Sequence, residues 1–151
     1  CLIGCQDKNI VLAEYKSYTS GWPQSQAAEF EFQAPDTINN YNLFIMIRNT
    51  PDYNFRNLFL ISEINFPNGK VLVDTLEYEM AYPNGELMGQ GSSLKTNKLW
   101  LKEAVKFDED GNYHIKLKQA MRKFGDIEGL DRLKGITDVG LHIEKHNTNG
   151  N

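Results

Sequence analysis

Apolar and polar residues alternate through most of the chain. Residues 29–32 read Glu-Phe-Glu-Phe, and residues 113–117 and 139–143 repeat the same period of two. Because successive side chains of a β-strand point to opposite faces of a sheet, this period predicts strands with one buried face and one wet face. Residues 43–47 are apolar at every position, which predicts a central strand covered on both faces. Further strand candidates are 11–18, 57–66, 70–80 and 99–107.

Glycine-containing turns separate these segments. Pro67-Asn68-Gly69 lies between two predicted strands. Two further turn sequences, Pro83-Asn84-Gly85 and Asp110-Gly111, also lie at the ends of predicted strands. Asn-Gly is a strong hairpin signal because both residues accept a positive φ. Only 119–124 and 127–133 are candidates for short helical turns, and glycines interrupt them. Seven or eight strands at this spacing predict an all-β fold, a single antiparallel β-sandwich or jelly roll with little helix.

The chain is predicted to contain one folded domain. It has 151 residues, of which 40% are hydrophobic, enough for one core. We expect residues 1–10 to be a signal-peptide remnant with a lipobox tether, 11–145 to form the sandwich, and 146–151 to be a flexible tail.

Charge and hydropathy narrow the classes of partner. The net charge of −4 and the absence of a dense run of Lys and Arg argue against nucleic acid as a partner. The longest apolar run, 43–47, is far shorter than the roughly 20 residues of a membrane-spanning helix. Both cysteines, Cys1 and Cys5, lie at the N-terminus, so no disulfide is predicted to close a loop through the core.

The segment Leu2-Ile3-Gly4-Cys5 has the form of a bacterial lipoprotein signal-peptidase site. In such a site branched aliphatic residues and a small residue precede the cysteine that receives the lipid. The charged start and most of the apolar segment of a signal peptide do not precede it in this sequence, so we expect the chain to begin partway through that peptide. We therefore predict lipidation of Cys5, and the alternative is an ordinary exposed thiol.

Candidate metal ligands have simpler interpretations. His142 and His146 are four residues apart, the spacing of two zinc ligands on a helix, but on a strand their side chains lie about 13 Å apart. We interpret them as solvent-facing histidines. Asp108, Asp110 and Asn112 surround Gly111 as in a calcium loop, yet no glutamate follows at the twelfth position, so a hairpin turn is expected. No metal site and no cofactor is predicted.

The support for catalytic residues is also weak. The glutamates at 29 and 31, and at 77 and 79, are two residues apart on predicted strands and so place carboxylates about 7 Å apart, within the range of an inverting glycosidase. Wet sheet faces produce such pairs routinely. Residues 89–94 lack the last glycine of a dinucleotide fingerprint and the lysine of a phosphate loop. We predict no catalytic residue and expect a protein that is not an enzyme.

Three aromatic residues near predicted turns, Trp22, Tyr82 and Trp100, suggest a sugar-stacking surface. Aromatic rings bind the apolar faces of pyranose rings. Most aromatic residues of a β-sandwich simply pack its core, and that interpretation stands beside the carbohydrate one.

The ordered set of short motifs resembles the gliding-motility lipoprotein GldH family of Bacteroidetes, from about residue 18 to residue 144. The segments that carry the resemblance are Tyr41-Asn42-Leu43, Arg48-Asn49, Tyr53, 57–60, Pro67 with Gly69, Asp74-Thr75, Gly85 and Gly89, Gly111 with Tyr113, 119–122, and Gly135-Ile136 leading into 138–141. The lipobox cysteine of that family matches Cys5.

The resemblance implies a non-catalytic lipoprotein of the bacterial cell envelope, linked to the motility apparatus and its type IX secretion system. We expect it to be held in the membrane by lipid on Cys5, at the outer membrane facing the periplasm, and to act through contacts with envelope proteins. The alternative is an envelope carbohydrate-binding module, with a glycan as partner.

Overall fold

The computed structural model describes residues 9–122 and 129–147. Ten strands and no helix occur in these two ranges. The strands are β1 (Ile10–Ser17), β2 (Trp22–Pro23), β3 (Ala28–Gln33), β4 (Asn40–Asn49), β5 (Asn57–Asn65), β6 (Val71–Glu79), β7 (Lys95–Lys106), β8 (Asn112–Gln119), β9 (Arg132–Leu133) and β10 (Ile136–Lys145).

Eight of the strands form two four-stranded antiparallel sheets. The first sheet has the order β1-β10-β4-β7 and the second has the order β3-β8-β5-β6, while β2 and β9 form a short separate ladder. Each of the eight strands crosses to the other sheet from the one before it, except that β5 and β6 form a hairpin within the second sheet. This order is the jelly-roll arrangement of two Greek keys. The predicted all-β sandwich is therefore confirmed.

Burial along the strands follows the predicted alternation. In β3 the phenylalanines Phe30 and Phe32 face inward and the glutamates face solvent. Strand β4 is buried on both faces from Leu43 to Ile47, as its continuous apolar run predicts for a strand in the middle of a sheet. The core between the sheets is aliphatic at its centre and includes Ile45, Leu60 and Leu141, all fully buried.

Aromatic rings close one end of the core. Phe32 stacks on Tyr113 with ring centroids 5.7 Å apart, and Phe107 packs edge-on against Tyr113 at 5.0 Å. Phe66 and Tyr41 complete the cluster, each with a centroid distance below 6 Å to one of these rings. All five residues lie at or near strand termini at the end of the sandwich where β1 begins.

The hairpin Phe66-Pro67-Asn68-Gly69-Lys70 has the predicted turn. The Gly69 amide donates to the Phe66 carbonyl at 3.0 Å, and the Asn68 side chain accepts from the Lys70 amide at 2.8 Å. Gly69 has φ +93°, a value that favours glycine. Pro83-Asn84-Gly85 repeats this geometry, with Gly85 donating to the Tyr82 carbonyl at 2.8 Å.

The prediction of a helical turn at 127–133 is wrong for its described part. Arg132 and Leu133 form strand β9, which pairs with Trp22 and Pro23. The physical reason is a long-range one, because pairing with β2 buries both Trp22 and Leu133 completely. In the other candidate helical segment, Gln119 ends strand β8, and residues 123–128 lie outside the described residues.

Polar side chains close the gap between edge strands β6 and β7. Asp74 points inward from β6 and pairs with Lys102 of β7 at 3.2 Å, while the Tyr78 hydroxyl donates to the Trp100 carbonyl at 2.5 Å. Burial raises the pKa of Tyr78 to about 12, so this donor stays protonated. An inward-pointing charge on an edge strand also disfavours pairing with another chain.

Candidate functional site

The longest connections of the sandwich meet at one of its ends. The antiparallel strand order places segments 18–27, 50–56, 80–94 and 129–135 together, and we call this end the loop end. The shorter segments 34–39, 66–70 and 107–111 form the opposite end, together with the start of β1 at Ile10, and we call it the turn end. Long loops on a rigid sandwich are where binding residues concentrate.

The first cleft of the loop end has a volume of about 530 Å³ and lies between the 50–56 loop and the 80–95 segment. Its charged lining residues are Arg56, Glu86 and Lys95. Phe55 forms part of its wall and packs edge-on against Tyr53, with ring centroids 5.9 Å apart. The Tyr53 hydroxyl donates to the Asn57 carbonyl, and burial raises the pKa of Tyr53. The position of Phe55 is therefore held by its contact with the buried and hydrogen-bonded Tyr53.

The second cleft is larger, about 1160 Å³, and lies between segments 18–21, 50–55 and 130–137. Tyr18 lines it and stacks on the buried Trp22 ring, with centroids 5.9 Å apart. Burial raises the pKa of the Tyr18 phenol. Arg132 donates to the carbonyls of Ser20 and Gly21 at 3.4 and 3.3 Å. The cleft combines an aromatic floor with hydroxyl and cationic groups.

A close backbone contact holds the 50–56 loop against the β9–β10 turn. Gly135 has φ +90°, and a Cβ at this position would lie 2.3 Å from the Tyr53 amide nitrogen. The Thr50 amide donates to the Gly135 carbonyl at 2.8 Å. Because only glycine fits there, the loop that separates the two clefts is positioned by the backbone of the neighbouring turn.

A row of aromatic side chains crosses the outer face of the first sheet. It contains Trp100, Phe44, His142 and Tyr15, one from each strand. Trp100 and Phe44 have ring centroids 4.4 Å apart, and Tyr15 and His142 are 5.7 Å apart. The Arg48 guanidinium lies 4.2 Å from the Tyr15 centroid. These four rings form the aromatic row.

Charged groups are paired around the aromatic row. The Lys98 ammonium lies 4.3 Å from the Phe44 centroid and 2.6 Å from the Glu144 carboxylate. The Tyr15 hydroxyl and His142 Nε2 are 3.1 Å apart. Burial lowers the pKa of His142, Lys98 and Arg48 lower it further, and Glu144 opposes them. Together, these surroundings favour the neutral imidazole.

The predicted site residues occupy different parts of the molecule. Cys5 lies outside the described residues. Trp22 is 0% exposed and its Nε1 donates to the Gln26 carbonyl at 2.8 Å, so it presents no ring face to a ligand. Tyr82 and Trp100 are 48% and 51% exposed, on the 80–94 loop and on β7. Trp22 therefore cannot form part of a sugar-stacking surface, and only Tyr82 and Trp100 of the three predicted residues are exposed.

The histidines and aspartates considered as metal ligands have separate surroundings. His142 belongs to the aromatic row and is largely covered, whereas His146 Nδ1 lies 3.1 Å from the Asn42 side-chain oxygen. Asp108, Asp110 and Asn112 lie at the β7–β8 turn. Within 9–122 and 129–147, no three His, Cys, Asp or Glu side chains are arranged to hold a metal ion.

Sequence reasoning missed both clefts. Their lining comes from segments far apart in the chain, such as Arg56 with Glu86, or Asp52 with Arg132. The available local signal was the cluster of Gly, Pro, Ser and Asn between residues 80 and 95, which marks a long loop but not its neighbours.

In the described part of the chain there is no helix with the length and apolar character needed to span a bilayer. A sequence model of the GldH lipoprotein matches residues 10–143. The chain is 53% identical over 140 residues to the gliding motility lipoprotein GldH homolog of Christiangramia forsetii, with 92% of this chain and 86% of that protein covered. It is 47% identical over 145 residues to the gliding motility lipoprotein GldH of Flavobacterium johnsoniae, with 95% and 89% covered.

Similarity to solved structures is slight. The Gt strain of infectious bursal disease virus matches with a TM-score of 0.38 and 13% identity, over 92% of this chain and 33% of that one. The VP2 subviral particle of the virus matches with a TM-score of 0.37 and 14% identity, over 93% and 34%. This chain spans about a third of the length of those proteins, and at these scores the matches carry no argument about fold or function.

Proposed function

This chain belongs to the GldH lipoprotein family, and from that membership we propose that it is a non-catalytic lipoprotein of the bacterial cell envelope that acts through contacts with other proteins. The observation that carries the proposal is the identity of 47% and 53% to two gliding motility lipoproteins over most of the chain. The partners we propose are envelope proteins of a motility or secretion assembly, without a role for nucleic acid.

The proposed anchor is a lipid on Cys5, which holds the domain at the outer membrane, facing the periplasm. The sequence Leu2-Ile3-Gly4-Cys5 supports it. One acyl chain anchors a protein only marginally, whereas the several chains of a lipidated N-terminal cysteine give stable anchoring. The folded strands begin at Ile10, so only residues 6–9 separate the lipid from the domain.

The anchor is tested with the full-length precursor expressed in its own bacterium. Cys5→Ala removes the acylated thiol, and we expect the protein to move from the membrane fraction to the soluble fraction and to lose labelling by radioactive palmitate. Cys1→Ala is the matched control, because it removes a cysteine upstream of the processed bond. Membrane retention of Cys5→Ala, or equal loss in both variants, would contradict the anchor.

The protein contacts are tested by affinity capture of the tagged full-length protein from mild-detergent extracts, with Cys5→Ala as the control. We expect envelope proteins to be recovered with the lipidated protein and lost from the control. Capture of no protein, with retention of a glycan instead, would favour the second candidate function.

That second candidate is a carbohydrate-binding module. The observation in its favour is the exposure of Tyr82 and Trp100, and the Trp100 ring packs against the neighbouring Phe44 ring. Glycan-array binding that is lost in Trp100→Ala and kept in Trp22→Phe would favour this function, because Trp22 is buried and serves the core.

A further inference from the structure

The two clefts of the loop end are parts of one groove. Pro51, Asn54 and Phe55 line both of them, so the 50–56 loop is a shared wall and the clefts open on either side of it. Gly135 and Tyr53 hold this wall in place through their backbone contact. We call the two clefts together the distal groove, because it lies at the end of the sandwich opposite the start of β1.

The distal groove is positive in a chain that is negative overall. Its described lining contains four cations, Arg56, Lys95, Arg132 and Lys134, and two acids, Asp52 and Glu86. The whole chain has a net charge of −4. The lining is thus +2 while the remainder of the chain is −6, since −6 and +2 sum to −4. A cleft whose lining has an excess of one sign of charge attracts partners of the opposite sign.

These cations are not neutralised within the described part of the chain. No ion pair joins any of the four to an acid in residues 9–122 or 129–147. Lys95 and Arg132 donate to backbone carbonyls instead, Lys95 to Gly91 at 2.6 Å. Carbonyl partners fix the position of a cation and leave its charge in place, so each cleft keeps two cations against one acid.

The wall between the cations carries an aromatic ring. Phe55 is partly exposed and packs edge-on against the buried Tyr53. Leu87 lines the first cleft and Leu130 lines the second. Each of the two clefts is large enough to hold several amino-acid side chains. An occupant that complements the groove therefore carries acidic groups on both sides of an apolar one.

We propose that the distal groove binds an extended, acidic segment of a protein partner, with an apolar side chain against Phe55 and carboxylates facing Arg56 and Lys95 on one side and Arg132 and Lys134 on the other. This inference rests on the proposed function and names the chemistry of the partner. An acidic segment suits the excess of cations in the groove, and an apolar side chain suits the partly exposed Phe55 ring.

The test selects a phage-displayed random heptapeptide library on the tagged, detergent-solubilised full-length protein. We expect the selected peptides to be enriched in Asp and Glu around a hydrophobic residue. Their affinity, measured by fluorescence anisotropy, should weaken as salt rises from 50 to 300 mM because exposed charges are screened on the order of a Debye length.

A matched pair of charge reversals locates the binding. Arg56→Glu with Lys134→Glu changes one exposed cation in each cleft, and we expect Kd to rise at least about tenfold. Lys106→Glu with Lys145→Glu makes the same change of net charge at the turn end, and we expect Kd to rise less than about twofold. Circular dichroism of both double variants shows whether the fold is kept. If a double variant does not fold, the single variant Lys134→Gln is used for the same affinity measurement.

Three results would overturn the proposal. The first is a selection without acidic enrichment, or with no binding peptide. The second is equal weakening by both double variants, which would mean that overall charge and not the groove decides. The third is that polygalacturonate, an acidic polysaccharide, binds in the groove although no peptide does. Each of these leaves the lipid anchor untouched, because fractionation of Cys5→Ala tests it separately.

Discussion

At the scale of the residue, the clearest dependence is that the position of the Tyr15 ring requires a glycine at residue 140. A Cβ at Gly140 would lie 2.6 Å from two atoms of the Tyr15 ring. The ring therefore lies against the glycine, its hydroxyl reaches His142, and the Arg48 guanidinium lies over its face. A glycine in the middle of strand β10 weakens the strand by itself, and the ring that covers it restores the lost contact.

We predict that Gly140→Ala lowers the free energy of unfolding by about 1–3 kcal/mol, because the Tyr15 ring has to move. Tyr15→Ala should cost about 1–2 kcal/mol through the loss of its hydrogen bond and of the Arg48 contact. Urea unfolding of the single and double variants measures the coupling. With Tyr15 absent, Gly140→Ala should cost at least about 1 kcal/mol less. Additive losses would mean that the contact is not what requires glycine.

At the scale of the element, the turns differ in what surrounds them. Gly69 has φ +93° and no atom within 4 Å of an added Cβ, so only its backbone conformation requires glycine. Gly135 has φ +90° and is also crowded by the Tyr53 backbone. The first turn is specified by its own four or five residues, whereas the second is part of the packing between two loops.

We predict that Gly69→Ala costs about 1 kcal/mol, the usual penalty of a left-handed conformation for an L-residue. Gly135→Ala should cost at least about 3 kcal/mol, since the backbones of two loops must separate. Urea unfolding followed by Trp fluorescence compares the two variants. Gly85→Ala is the control, because its turn repeats that of Gly69 with open space around it. Similar losses of unfolding free energy for Gly69→Ala and Gly135→Ala would show that the 50–56 loop moves away from residue 135 at little cost.

At the scale of the whole molecule, the two Pro-Asn-Gly turns mark opposite ends. The turn at Asn68 belongs to the turn end and the turn at Asn84 to the loop end. The ten residues of β4 span about 33 Å between the ends. If lipid is attached to Cys5, the path to Ile10 is at most about 17 Å, so the turn end faces the membrane and the loop end faces away.

We predict that energy transfer to rhodamine-labelled lipid is stronger from a fluorophore on Asn68→Cys than from one on Asn84→Cys, in the lipidated protein bound to liposomes. The two sites have matched local geometry, so the difference reports distance from the bilayer. The same pair on unlipidated Cys5→Ala protein should show equal, low transfer. Equal and strong transfer from both sites of the lipidated protein would mean that the domain lies on its side.

Local pattern was sufficient for much of this molecule. Eight strands, the turn at Gly69 and the burial of both faces of β4 follow from periodicity and turn chemistry, because alternation records which face of a strand meets the core. Family membership was equally readable, since it depends on the order and spacing of short motifs along the chain.

Tertiary structure alone decided which distant segments meet. The pairing of β2 with β9 buries Trp22, which by sequence was as good a surface residue as Trp100. The distal groove exists because the jelly-roll order gathers Asp52, Arg56, Glu86, Lys95, Arg132 and Lys134 at one end. The physical reason is that a local pattern specifies the buried face of each strand, whereas strand order is set by closing one core between two sheets, which depends on the whole chain.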